Sequence, residues 1–191
     1  MRNSNRGRKF PPEPLSKAEV ARLLDSFSET IVDVRNRALM ATYIFSQVRC
    51  NEGLNLRCFD VDLEAGTVTV LLGKGKKRRL VALGKQAVPY VEPWIEVRPD
   101  STFFFCTQRG GRMCDSYVRR VVKRHAKKAG ISKRASCHNL RHTGAFHLAN
   151  AGVDLRLLQF QLGHQALSTS ERYISHLCPA KMIDTIRMTE W

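Results

Sequence analysis

The amino-acid sequence predicts a mainly α-helical fold with a small antiparallel β-sheet (α+β). Three observations carry that prediction. Segments such as "AEVARLLDSF" and "SYVRRVVKRHAKKAG" repeat apolar residues at the spacing of an amphipathic helix. The stretch "GTVTVLLGKGKKRRLVALG" places two Val- and Leu-rich runs about a Gly-Lys-Gly turn, the signal of a hairpin. The apolar fraction of 43%, with 26% charged residues over 191 positions, suffices for a core and excludes wholesale disorder.

The elements follow in order. Residues 1–13 are polar, basic and proline-rich, and are expected to form a flexible arm, with one folded domain over 14–191. Ser16 and Glu19 have the spacing of a capping box, which starts a helix carrying Val20, Leu23, Leu24 and Phe27. A longer helix is predicted over Ile31 to Gln47, with Val34, Ala38, Tyr43 and Phe45 toward its buried side. After the hairpin, "PYVEPWIEVR" is weakly helical and interrupted by Pro93, and "TFFFCTQRGGRM" gives a short strand and glycine turn or a second small hairpin. Asp115 caps a strong helix lined by Val118, Val121 and Val122 and stopped by Gly130. Two or three helices follow from His138, with Gly152 ending one and Asp154 starting the next; "PAKMIDTIRM" forms a last short one. No repeat of 20–50 residues is visible.

Charge narrows the function. Thirty-two Lys and Arg against seventeen Asp and Glu give +15 and a pI near 10.1, which implies a polyanionic partner. No apolar run approaches the roughly 18 residues of a spanning helix, and the basic N-terminus lacks the apolar core of a secretory signal. Nucleic acid is therefore favoured over membrane. The six cysteines form no CxxC pair, so free thiols in a reducing cytoplasm are expected, and no metal site. "GKGKK" lacks the spacing of a nucleotide-binding P-loop. With 8% aromatics and no aromatic RNA-binding motif, an RNA-binding module is a distant reading.

The chemistry gathers in "CHNLRHTGAFHLANAGVDLRLLQFQLGHQALSTSERYISH". His138 and Arg141, three apart, share a helix face and can reach one anion together. Leu162–His164 spells "LGH" after an apolar helix, and Tyr173 lies nine residues beyond His164. Each piece alone suits an ordinary surface pair, a polar loop residue or a half-buried tyrosine. The joint spacing resembles the C-terminal signature of the tyrosine recombinases, or phage-type integrases. Upstream, "VRCNEGLNLRCFDVDLEAGTVTVLLGKGKKRRLVAL" is similar to that family's Arg-x-x-Glu-x-x-x-Leu box at Arg49, Glu52 and Leu56, followed by its hairpin lysine at Lys74. The likeness covers roughly residues 14 to 180. It departs at Gln47-Val48, where the family usually has Gly-Leu. The family's separate DNA-clamping domain is also missing ahead of the likeness, so the chain resembles single-domain members such as fimbrial DNA invertases, or an excised catalytic domain.

The resemblance implies the tyrosine recombinase catalytic-domain fold and site-specific cutting and rejoining of double-stranded DNA through a 3′-phosphotyrosyl intermediate. It implies no cofactor, neither metal nor ATP, and a homotetramer on DNA. By the same resemblance Tyr173 is the nucleophile, Arg49 and Arg141 hold the phosphate, His138 takes the tyrosine proton, His164 donates to the phosphate and Lys74 protonates the leaving oxygen. Lys76, Lys77, Arg78 and Arg79 are expected to contact the DNA backbone. Glu52 either orients Arg49 or forms a helix salt bridge, and stands outside the catalytic set. The segment 178–188 docks either on a neighbouring protomer or on its own domain. A non-catalytic DNA-binding protein of the same fold and a type IB topoisomerase-like strand transferase are the alternatives.

Overall fold

In a computed structural model, residues 13–72 and 77–163 are described, with Leu72 and Lys77 described in their backbone alone. Seven α-helices and three strands are present among them: α1 (Lys17–Asp25), α2 (Ile31–Phe45), α3 (Cys50–Asn55), β1 (Val61–Asp62), β2 (Thr67–Leu72), β3 (Lys77–Ala82), α4 (Val88–Val97), α5 (Asp115–Lys128), α6 (Cys137–Asn150) and α7 (Leu155–Leu162). The sheet is antiparallel in the order β1-β2-β3. Its register runs from Thr67 opposite Ala82 to Leu72 opposite Lys77, as the hairpin pattern predicts. Val68, Val70 and Val81 turn inward, while Arg78 and Leu80 face out, the period-two alternation of a half-covered sheet.

The capping box forms as read: the Glu19 N–H donates to Ser16 Oγ at 3.1 Å, and the Ser16 N–H to Glu19 Oε2 at 2.7 Å. Helix α2 is the hub of the core, buried along almost its whole length against α4 and α6. Where α6 crosses α2 the two backbones nearly touch, and a Cβ on Gly144 would overlap the Ile44 carbonyl oxygen. Asp115 is the first residue of α5 rather than its cap, a position Cys114 takes; its carboxylate pairs instead with Arg119 at 2.6 Å, one turn along. Gly130, at φ 64°, ends that helix in the left-handed conformation expected.

The expected break at Pro93 does not occur. Helix α4 continues through it, because Val91 and Trp94 are buried and the indole N–H donates to the Phe104 carbonyl at 2.9 Å. That packing outweighs one missing backbone hydrogen bond. The "TFFFCTQRGGRM" stretch is neither a strand nor a full hairpin. It makes two isolated bridges, Arg57 to Phe103 and Cys106 to Arg112, around the turn at Gly110.

The start of the domain is strapped to α6. Asn139 Nδ2 donates to the Glu13 carbonyl (2.9 Å), the Leu15 N–H donates to Thr143 Oγ1 (3.0 Å), and His147 Nε2 lies 2.9 Å from the Leu15 carbonyl. These three side chains sit four residues apart, one face of a helix. No helix among the described residues is long and apolar enough to cross a membrane.

Candidate active site

Helix α6 is unusual because it buries polar side chains: Asn139, Arg141, His142 and Thr143 are all less than 9% exposed. Charges are rarely buried without partners, and the partners here define a site. Arg141 donates from Nη1 to the Gln47 carbonyl and from Nη2 to the Leu162 carbonyl, each at 2.6 Å. Arg49, the N-cap of α3, donates from Nη2 to the Gly163 carbonyl at 3.2 Å. Both guanidiniums thus gather at the carboxyl end of α7, whose last carbonyls have no partner within the helix and carry the negative end of its dipole.

Glu52 joins the two. Its carboxylate accepts from the Arg49 N–H (2.7 Å), from Arg49 Nη1 (2.9 Å) and from both terminal nitrogens of Arg79 (2.8 Å each), and lies 3.9 Å from Arg141 Nη1. Burial pushes its pKa up, but the bonds from Arg79, from the Arg49 backbone and from the Arg49 side chain outweigh that and bring it down to about 2. Three guanidiniums against one carboxylate leave the cluster two charges positive. Arg49 remains nearly half exposed, so that charge faces solvent beside a polar cleft lined by Asn51, Asn55, Arg57 and Thr69.

His138 stands one turn before Arg141 on α6, with its side chain open to solvent. Burial first, then the charges of Arg141 and Arg49, hold its pKa below the ordinary imidazole value. The ring is therefore neutral near pH 7 and able to accept a proton. His142, one turn further on, is buried, and burial followed by the nearby His138 depresses it to about 4.

The structure thus brings together Arg49, His138 and Arg141 of the expected set. Arg78 is exposed on the hairpin, whereas Arg79 is turned inward onto Glu52, with only a tenth of its side chain accessible. Lys74, Lys76, His164, Tyr173 and the segment 178–188 lie outside the described residues, as does the Lys77 side chain. Among the described residues no cluster of His, Cys, Asp or Glu has the makings of a metal site. Two residues named in the sequence reading take parts in the site that it did not give them. Arg79 is one of four consecutive cations, and the signal that could have singled it out is the strand's period-two alternation, which puts it on the inward face with Val81. Gln47 occupies the position before Val48 with φ 51°, a left-handed conformation for which glycine is the usual residue.

The sequence matches the phage integrase family over residues 13–178. The chain belongs to that family. Among its relatives, the tyrosine recombinase XerC of Halalkalibacterium halodurans is 35% identical, covering 98% of this chain and 65% of that protein. XerD of Pseudomonas putida is 38% identical, covering 90% and 59%. In structure, the XerA recombinase superposes with a TM-score of 0.83 at 30% identity over 96% of this chain and 68% of its own. The XerH site-specific recombinase, in a post-cleavage complex with its palindromic difH substrate, gives 0.79 at 31% over 97% and 55%. The fold is that of a tyrosine recombinase catalytic domain. This phage integrase chain spans less than two thirds of the length of the XerC and XerD relatives it matches.

Proposed function

We propose that the chain is the catalytic part of a site-specific recombinase that cuts and rejoins double-stranded DNA through a 3′-phosphotyrosyl intermediate. The observation that carries this reading is the pairing of Arg49 and Arg141 at the end of α7, with a proton-accepting histidine one helical turn away. A phosphodiester repels an anionic nucleophile, and its five-coordinate transition state concentrates charge on the non-bridging oxygens. Two permanently charged guanidiniums, preorganised by backbone carbonyls and Glu52, answer that charge without reorganising during the reaction.

The Tyr173 phenol, ordinarily near pKa 10, attacks phosphorus as its proton passes to neutral His138. The 5′ oxygen leaves with a proton from Lys74, and His164, next in the chain after Gly163, donates to the phosphate. Resealing runs the same steps backward: the 5′ hydroxyl attacks, the P–O(Tyr) bond breaks and the tyrosine regains its proton. The phosphodiester's energy is kept in the phosphotyrosyl bond, so the reaction uses neither ATP nor metal. Recombination between two duplexes would take four protomers, with Lys76, Lys77 and Arg78 on DNA phosphates.

The test is incubation of the chain with nicked duplexes tiled across the DNA flanking its own gene, with EDTA present. A covalent protein–DNA band on a denaturing gel, absent in Tyr173→Phe, is the expected result. Salt-sensitive binding with no covalent band on any nicked duplex would make it a DNA-binding protein of recombinase fold.

A further inference from the structure

Arg79 has an environment unlike that of a DNA-contacting hairpin cation. Its side chain is about as buried as that of Glu52, and both terminal nitrogens are spent on that carboxylate in a bidentate pair. Its aliphatic and guanidine atoms pack against Gly163 so closely that a Cβ there would stand 2.7 Å from Nε. Gly163 is the left-handed cap of α7, and its carbonyl receives Arg49. The same strand is locked to the same helix a few residues on. The Gln161 side chain accepts from the Ala82 N–H (2.9 Å) and donates to the Ala82 carbonyl (2.8 Å), as a neighbouring strand would. Arg79 is therefore the point where β3, α3 and the end of α7 meet.

We infer that Arg79 is a positioning residue: through Glu52 and Gly163 it fixes Arg49 in the phosphate-holding geometry and ties that geometry to the strand leading from Lys74. The inference rests on the strand-transfer reading above. The Arg79 guanidinium has both terminal nitrogens on Glu52 and its Nε buried, so it presents no exposed edge to a phosphate, whereas Arg78, exposed one residue earlier, does. Without Arg79 the buried Glu52 carboxylate would keep Arg49 and the nearby Arg141 as its cationic partners, and would draw Arg49 further inward, away from the cleft. A displacement of about 1 Å at such a group costs on the order of 100-fold in rate.

The experiment measures two quantities on one nicked duplex: the single-turnover rate of covalent adduct formation at saturating protein, and the salt dependence of DNA affinity. Arg79→Met is expected to slow adduct formation on the order of 100-fold while the slope of log K against log salt stays at the wild-type value. Arg79→Lys, which keeps the charge but loses the planar fork, should recover part of that rate and guards against a variant that does not fold. In a Glu52→Gln background, Arg79→Met should add little further loss, since its effect runs through the carboxylate. A slope reduced by about 1, with an unchanged rate at saturation, would overturn the inference and return Arg79 to the phosphate contacts. Full additivity with Glu52→Gln would overturn it as well. A wild-type chain that binds DNA and forms no adduct would instead overturn the strand-transfer reading, and this inference with it.

Discussion

Glu52 does the most at the scale of single residues. Its pKa is near 4.5 when unfolded and about 2 when folded, so it contributes stability fully above pH 4.5 and loses it as pH falls toward 2. The shift corresponds to on the order of 3 kcal/mol. Urea denaturation as a function of pH should show a steep loss between these values in the native chain and a flatter one in Glu52→Gln, which would also be less stable at pH 7. Parallel curves would contradict the assignment. Gln47 illustrates a cost met locally. A non-glycine residue in the left-handed region is disfavoured by roughly 1 kcal/mol. Here Nε2 donates to the Ile44 carbonyl (2.6 Å) and Oε1 accepts from Gln161 (3.0 Å), which offsets the strain and holds the carbonyl that Arg141 uses. The family resemblance singles out Arg49, His138 and Arg141, and the structure brings them together; it leaves Glu52 between orienting Arg49 and a helix salt bridge, and the carboxylate bonds to Arg49. The bonding of the arginines was not legible, because the Leu162 and Gly163 carbonyls that receive them are backbone groups no string displays.

At the scale of elements, α6 performs two tasks on two faces. One presents His138 and Arg141; the other grips the start of the domain with Asn139, Thr143 and His147. Thr143→Val would leave the Leu15 N–H without its partner, at a cost of about 1–3 kcal/mol in chemical denaturation. A change within a few tenths would show that the strap is dispensable. Gly144→Ala would force α6 away from Ile44 and should cost about 3 kcal/mol. It should also slow any DNA cleavage, since Arg141 rides on the same helix. Capping at Ser16 and the hairpin register were readable because both are local: a side chain meets a backbone group three residues away, or a turn sets the pairing. Helix α4 was misjudged at Pro93 because what holds it together, Trp94 against Phe104, is ten residues apart and set by packing.

The whole molecule carries +15, and α5 shows where much of that charge resides. Arg119, Arg120, Lys123, Arg124, Lys127 and Lys128 are all exposed, while Val118, Val121 and Val122 face the core. DNA affinity should fall linearly in log–log form as salt rises, and Arg78→Gln should lower that slope by about 1. A salt-independent affinity would contradict a backbone-phosphate interface. Net charge announced a polyanion from the sequence, and spacing announced the family, but neither reveals which cations turn inward.

Strand transfer as proposed above requires Tyr173 to carry the DNA on its phenolic oxygen through a 3′ phosphate. The most direct measurement is to trim the adduct with nuclease, digest it with protease and locate the nucleotide remnant by mass spectrometry. A 3′-linked remnant on Tyr173, absent in Tyr173→Phe, is the expected result. A remnant on any other residue, or one joined through a 5′ phosphate, would contradict it.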